Sequence, residues 1–208
     1  LLLDEPWSAL DAGRRAEVAR AVDRVRAAFG LPMVLVTHDF DDVLRHARTL
    51  ALLDGGVVQA AGPIEALTAR TDLPLLAHRA DAGVALAASV EGPGGDGLTA
   101  LRVGAARFLV AAGGLPAGGA ARLFVRAGDV AVAVGETAGL SVRNLLPAQI
   151  TAIAPQEPHE AMLSLDIGGA VLLARLSRSA VDDLGLAPGR QVTALVKAVA
   201  ATLHAPAA

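Results

Sequence analysis

The sequence predicts an α/β segment followed by an all-β domain, and three observations predict it. Residues 1 to about 70 alternate short apolar runs with helix-period patterns. From about Val84 the helical patterns stop, and short apolar strands are separated by Gly-rich turns at 92–97, 113–114, 118–119 and 168–169. The second half also repeats itself at constant offsets, which calls for two related β units.

The elements follow in order. Leu1 to Leu3 reads as a short buried strand ending at Asp4. Val18, Val22, Val25 and Phe29 recur at steps of four, three and four, one face of a helix that Gly30 and Pro32 end. Met33 to Val36 is a second apolar run, too short for a helix. Phe40 to His46 is a short helix. Leu50–Leu53 and Val57–Gln59 flank Asp54-Gly55-Gly56, a hairpin signal. Pro63 to Ala69 reads as a helix with Pro at its first position. Strand–helix–strand alternation argues for a parallel sheet covered by helices. Residues 71–83 read as a linker, and 84–208 as a small barrel or sandwich.

Within that second domain, Leu98–Gly104 matches Met162–Gly168 at an offset of 64. Gly114–Gly118 matches Gly185–Gly189, and Leu123–Ala127 matches Ala194–Ala198, both at an offset of 71. The second copy carries seven extra residues around Ser177 to Asp183. The copies are set at 84–136 and 140–204, with a site expected where they meet.

Composition narrows the function classes. The 208 residues are 53% hydrophobic and 19% charged with a net charge of −3, which excludes a disordered tail. No basic excess exists to neutralise phosphates, and 2% aromatic content offers few stacking platforms, so nucleic acid is not an expected partner. Absence of cysteine excludes disulfides, zinc–thiolate sites and thiol catalysis. No apolar run approaches the roughly 18 residues that span a bilayer. Leu1-Leu2-Leu3-Asp4 lacks Met and a basic segment; it is not a signal peptide, and is expected to lie inside a longer protein.

Two segments carry chemistry. The first is Leu1-Leu-Leu-Asp-Glu-Pro6, then Ser8-Ala-Leu-Asp11, then Val36-Thr-His-Asp39 at the end of the next strand. A strand-end Asp suits Mg²⁺ facing β- and γ-phosphates, and a neighbouring Glu can polarise water. His38 falls at the carboxyl end of a neighbouring parallel strand, where ligands bind in open α/β sheets. The second is Gly139-Leu-Ser-Val-Arg-Asn-Leu-Leu146, where a hydroxyl, a guanidinium and a carboxamide suit a tetrahedral oxyanion.

The first segment resembles the ATPase subunits of ABC transporters. Leu1–Pro6 looks like their Walker B segment, Ser8–Asp11 like their D-loop, and His38 like the switch histidine. The resemblance covers residues 1 to about 70 and implies the rear part of a P-loop ABC ATPase domain. It implies Asp4 on Mg²⁺, Glu5 as catalytic base, Asp11 at the ATP and dimer contact, and His38 sensing the γ-phosphate. Trp7 departs from the smaller apolar residue of that family and is expected to pack on a neighbouring subunit. The phosphate-binding Gly-x-x-x-x-Gly-Lys-Ser/Thr loop and a Leu-Ser-Gly-Gly-Gln-like signature do not occur, so this chain alone is expected not to hydrolyse ATP.

The second segment resembles the OB-like Mop or TOBE-type domain of molybdate importers and molybdate-binding proteins, whose motif reads Ser-x-Arg-Asn-x-Leu. Gly185–Gly189 and Val196-Lys-Ala198 match its closing strand, while Val199 and Ala200 stand where that family often carries a small hydroxyl residue. The resemblance implies an OB-like barrel with Ser141, Arg143, Asn144 and Lys197 as ligands of molybdate or tungstate. Arg143 either faces the ion or pins the barrel by a salt bridge. Together the two resemblances imply the C-terminal part of the ATP-binding subunit of a molybdate importer. Its implied partners are a second copy of itself, membrane permease subunits and, indirectly, a periplasmic binding protein. Its implied place is the cytoplasmic face of the inner membrane. The alternative is a stand-alone oxyanion-binding module with an inactive ATPase remnant.

Overall fold

A computed structural model describes residues 1–8, 10–112, 115–156 and 158–204. Ala9 of the Ser8–Asp11 loop, the Gly113-Gly114 turn and the end of the expected barrel at 205–208 lie outside them. The chain divides into two compact units, Leu1–Ala47 and a second that begins at Arg48.

The first unit is α/β. Strands β1 (Leu2–Asp4) and β2 (Val34–Val36) pair in parallel, Leu3 opposite Leu35. Helix α1 (Ala12–Phe29) connects them, and α2 (Phe40–His46) follows. Asp11 caps α1 by accepting a hydrogen bond from the Arg14 N–H, and Gly30 closes it in the left-handed conformation. Burial departs from expectation. Leu2, Val34 and Val36 are 81%, 57% and 55% exposed, and Val18, Val25 and Phe29 of the apolar helix face are exposed as well. Parallel strands need cover on both faces. Here the face bearing Leu3 and Leu35 is partly covered, and the face bearing Leu2, Val34 and Val36 is open.

The second unit opens with the hairpin β3 (Thr49–Asp54) and β4 (Val57–Pro63), turning on Gly55 and Gly56, both at positive φ. Helix α3 (Ile64–Thr68) follows, with Pro63 at its N-cap rather than at the first helical position. A one-turn helix α4 (Pro74–Ala77) lies within the segment expected as linker.

Ten strands then form two five-stranded sheets. Strands β5 (Gly83–Gly95), β6 (Leu98–Val103), β7 (Ala106–Val110), β8 (Ala120–Arg126) and β9 (Val130–Ala133) come from the first copy. The second copy supplies β10 (Asn144–Gln156), β11 (Glu160–Asp166), β12 (Val171–Ser177), β13 (Gln191–Val196) and β14 (Ala201–His204). One sheet runs β7-β6-β5-β8-β14 and the other β12-β11-β10-β13-β9. Each sheet therefore ends in a strand lent by the other copy. Strand β5 carries an irregularity between Val90 and Gly92, and β10 carries one between Ile150 and Ala152, the corresponding place. Helix α5 (Arg178–Asp183) fills the seven-residue insertion of the second copy. One core holds side chains of both sheets, among them Phe108, Leu123, Ile150 and Met162, all inaccessible to solvent. Gly104 and Gly168, related by the 64-residue offset, meet: a Cβ on Gly104 would lie 2.7 Å from the Gly168 carbonyl oxygen. Glycine is thus required at this contact by space as well as by its φ of +55°.

Candidate functional site

In the α/β unit, β1 and β2 end side by side, and their parallel pairing brings two of the predicted residues together. The Glu5 N–H donates to the Val36 carbonyl at 2.9 Å, which sets Glu5 at φ +44° beyond the strand end. Its Oε1 lies 2.6 Å from His38 Nδ1 and accepts from the His38 N–H at 3.2 Å. A non-glycine residue at positive φ is uncommon, and such strain gathers at functional positions. Asp4 is exposed at the same strand end, and its carboxylate has no hydrogen-bond partner among the described residues. Mg²⁺ is commonly held by one or two carboxylates plus substrate phosphates, so a lone strand-end carboxylate fits that role. Asp11 is occupied with capping α1 and lies 3.6 Å from Arg14 Nε.

A buried network behind this pair escaped the sequence. Trp7 is 2% exposed, and its Nε1 donates to Asp42 Oδ2 at 2.6 Å. The expectation that Trp7 packs on another subunit is corrected: its indole is buried within its own unit, tilted against His46 at 5.5 Å. Arg15 Nη2 donates to the same Asp42 oxygen at 2.6 Å and to Asp39 Oδ2. Burial pushes the Asp39 carboxyl up, but the hydrogen bonds from Arg15 and the Asp41 N–H outweigh it and hold it below the usual carboxylate range. Asp42 thereby ties the loop after Glu5, through Trp7, and helix α1, through Arg15, to the segment after His38. Replacing Asp42 with Ala will strand the buried Trp7 N–H and loosen Arg15, costing the unit about 2–3 kcal/mol. Urea unfolding followed by the fluorescence of Trp7, the single tryptophan, measures this; Asp42→Asn, which keeps an acceptor, will recover part.

In the barrel unit, β10 and β13 pair with Asn144 opposite Val196. Ser141, Arg143 and Lys197 are all exposed at that end. Continuing the register by one residue sets Arg143 against Lys197. Like charges facing each other across strands repel, and neither forms an ion pair among the described residues. The salt-bridge role considered for Arg143 is therefore not seen.

Asn144 behaves differently from the expected ligand. It is 2% exposed, and its Oδ1 accepts from the Leu109 N–H at 2.6 Å. Its Nδ2 donates to the carbonyls of Leu109 and Val196, both at 3.0 Å. Both amide hydrogens are used, so the carboxamide has no donor left for an anion. It stitches β7 of the first copy to β10 and β13 of the second. Motif position signalled a polar group here without revealing that Leu109 of the other copy supplies two of its three partners.

Within this duplicated, strand-exchanging OB-like barrel, residues 140–203 match the family model of the TOBE domain. The chain as a whole is similar to the C-terminal part of molybdenum import ATP-binding proteins. It is 39% identical over 201 residues to "Molybdenum import ATP-binding protein ModC" of Albidiferax ferrireducens, covering 96% of this chain and 54% of that protein. With the Rhodobacter capsulatus protein of the same name it shares 41% over 216 residues, covering 100% and 58%. The chain thus spans about half the length of the curated relatives it matches. A solved structure of the cytoplasmic molybdate-binding protein ModG, with molybdate bound, matches at a TM-score of 0.51 and 23% identity. That match covers 59% of this chain and 95% of ModG, and shows the fold. No helix among the described residues is long and apolar enough to cross a membrane.

Proposed function

We propose that this chain is the C-terminal part of the ATP-hydrolysing subunit of a molybdate import system, and that its barrel binds the oxyanion. The observation that carries the anion reading is that Arg143 and Lys197, one residue beyond the paired Asn144 and Val196, are two exposed cations with no ion pair among the described residues. A tetrahedral dianion placed between them relieves their repulsion, and the Ser141 hydroxyl adds a neutral donor. Asn144 fixes the backbone from which these groups project. In the α/β unit, Asp4 holds Mg²⁺, Glu5 activates water, His38 senses the terminal phosphate, and Asp11 stands at the ATP-bridged contact with a second copy. The subunit works at the cytoplasmic face of the membrane, driving permease subunits supplied by a periplasmic binding protein. Tungstate, of the same shape and charge, binds like molybdate; sulfate, being smaller, binds more weakly.

Isothermal titration with molybdate tests the barrel reading. Losing one charge-assisted hydrogen bond of about 1.5–3 kcal/mol predicts that Arg143→Ala weakens binding by about one to two decades. Lys197→Ala will do the same with the fold intact. No heat from the parent protein at millimolar molybdate overturns the reading.

A further inference from the structure

Strand β10 carries a buried carboxamide at each end, Asn144 at its start and Gln156 at its finish. The first is fully engaged. Asn144 accepts from the Leu109 N–H and donates to the Leu109 carbonyl, so it reads the backbone of one residue through both groups. Gln156 is 8% exposed, and its carboxamide has no hydrogen-bond partner among the described residues. Buried polar groups are nearly always paired, and an orphan of this kind marks the place of a ligand or of water.

Gln156 lines a cleft of about 170 Å³ together with His78, Glu160 and Arg175. Register explains the grouping. Gln156 is paired with Glu160 across β10 and β11, and Arg175 with Met162, two residues on from Glu160, so Gln156, Glu160 and Arg175 stand on one face of the sheet. The end of α4 supplies the remaining wall at His78. Arg175 holds that segment, its Nη2 donating to the carbonyls of Ala77 at 3.0 Å and Arg79 at 2.7 Å. Size and charge narrow the occupant. A single water needs roughly 10–15 Å³ and drug-sized sites begin near about 300 Å³, so this cleft suits a group of a few heavy atoms. The one guanidinium and the one carboxylate of the lining already answer each other, Arg175 Nε lying 3.7 Å from Glu160 Oε2. What stays unsatisfied is the Gln156 carboxamide, which both donates and accepts. Its complement is another amide, as the backbone of Leu109 is to Asn144.

We propose that this cleft is a binding site for an amide, whose C=O receives from Gln156 Nε2 and whose N–H donates to Gln156 Oε1. The site lies at the opposite end of β10 from Asn144 and does not rest on the anion reading given above. The amide comes either from a small free molecule or from the backbone of a peptide, and the two sources are separable by experiment.

Titration of the whole chain, followed residue by residue by two-dimensional NMR, is the test. N-acetylglycinamide, a small molecule with a secondary and a primary amide, is expected to shift His78, Gln156, Glu160 and Arg175 together and saturably by about 50 mM, within the affinity ceiling for so few heavy atoms. Acetate and methylammonium, small ions without an amide, will leave these residues in place. A blocked extended peptide identifies the source. Tighter binding than N-acetylglycinamide assigns the site to a peptide backbone, and equal or weaker binding assigns it to a free amide. Gln156→Met keeps the length of the side chain and loses the carboxamide, so it will weaken binding by about tenfold or more. Because it exchanges a buried orphan for an apolar group, it will also raise the melting temperature of the protein without ligand. No saturable shift from either amide, ions that shift the same residues as strongly, shifts that survive in Gln156→Met, or a melting temperature lowered by that change each overturns the proposal.

Discussion

Glu5→Gln will cut ATP turnover by about 10²–10⁴-fold while leaving ATP binding intact, in a chain that also carries the phosphate-binding loop. Glutamine has the shape of glutamate and keeps an oxygen for His38 Nδ1 and the His38 N–H, which lie 2.6 Å and 3.2 Å from Oε1. The strand end and its positive φ should persist. What disappears is the ability to take a proton from water. Nucleotide will consequently be bound and held without being cleaved, which phosphate release and nucleotide retention measure together. His38→Ala will also lose turnover. It removes the partner of Glu5 as well as the contact proposed for the terminal phosphate. A Glu5→Gln protein that turns over at the parent rate would falsify the assignment of Glu5 as base.

Asn144→Ala will destabilise the barrel by about 3–5 kcal/mol, because three backbone groups of two strands lose their partner at once and each buried orphan costs about 1–3 kcal/mol. The groups are the Leu109 N–H, the Leu109 carbonyl and the Val196 carbonyl. Asn144 adjoins the anion end we propose, so loss of molybdate binding alone would not distinguish a brace from a ligand. Thermal unfolding without anion does. A brace lowers the melting temperature sharply, whereas a pure ligand would leave it unchanged. Ser141→Ala, an exposed change with no hydrogen bond to lose among the described residues, will leave it within about 0.5 kcal/mol of the parent.

Local pattern made much of this legible. The turn at Gly55-Gly56, the helix stop at Gly30 and the span of α2 follow from φ preferences and periodicity, which act within a few residues. The duplication was readable because its offsets survive in the strands themselves, and the insertion around Ser177–Asp183 marks where α5 was added. Motif order placed Glu5 and His38 at adjacent strand ends. Pairing between distant segments was not readable. Nothing local says that β9 joins β13 or that β14 joins β8. The same blindness hid the backbone partners of Asn144, and the Asp42 that receives the Trp7 N–H alongside Arg15. Periodicity identifies an apolar face but not whether anything covers it, which is why Leu2, Val34 and Phe29 were expected inside and lie exposed.

The exchange of closing strands also bears on how the barrel is born. A ribosome releases the chain from its N-terminus, so β5 to β8 emerge long before β14, whose residues Ala201–His204 complete their sheet against β8. Until then the outer edge of β8 offers unpaired N–H and C=O groups to any passing strand. Strand β9 cannot close that edge, since its partner β13 is still to be synthesised. The first copy is thus committed to waiting for the second, and a nascent chain paused between them is a candidate for chaperone capture or for pairing with the same edge on a neighbouring polysome.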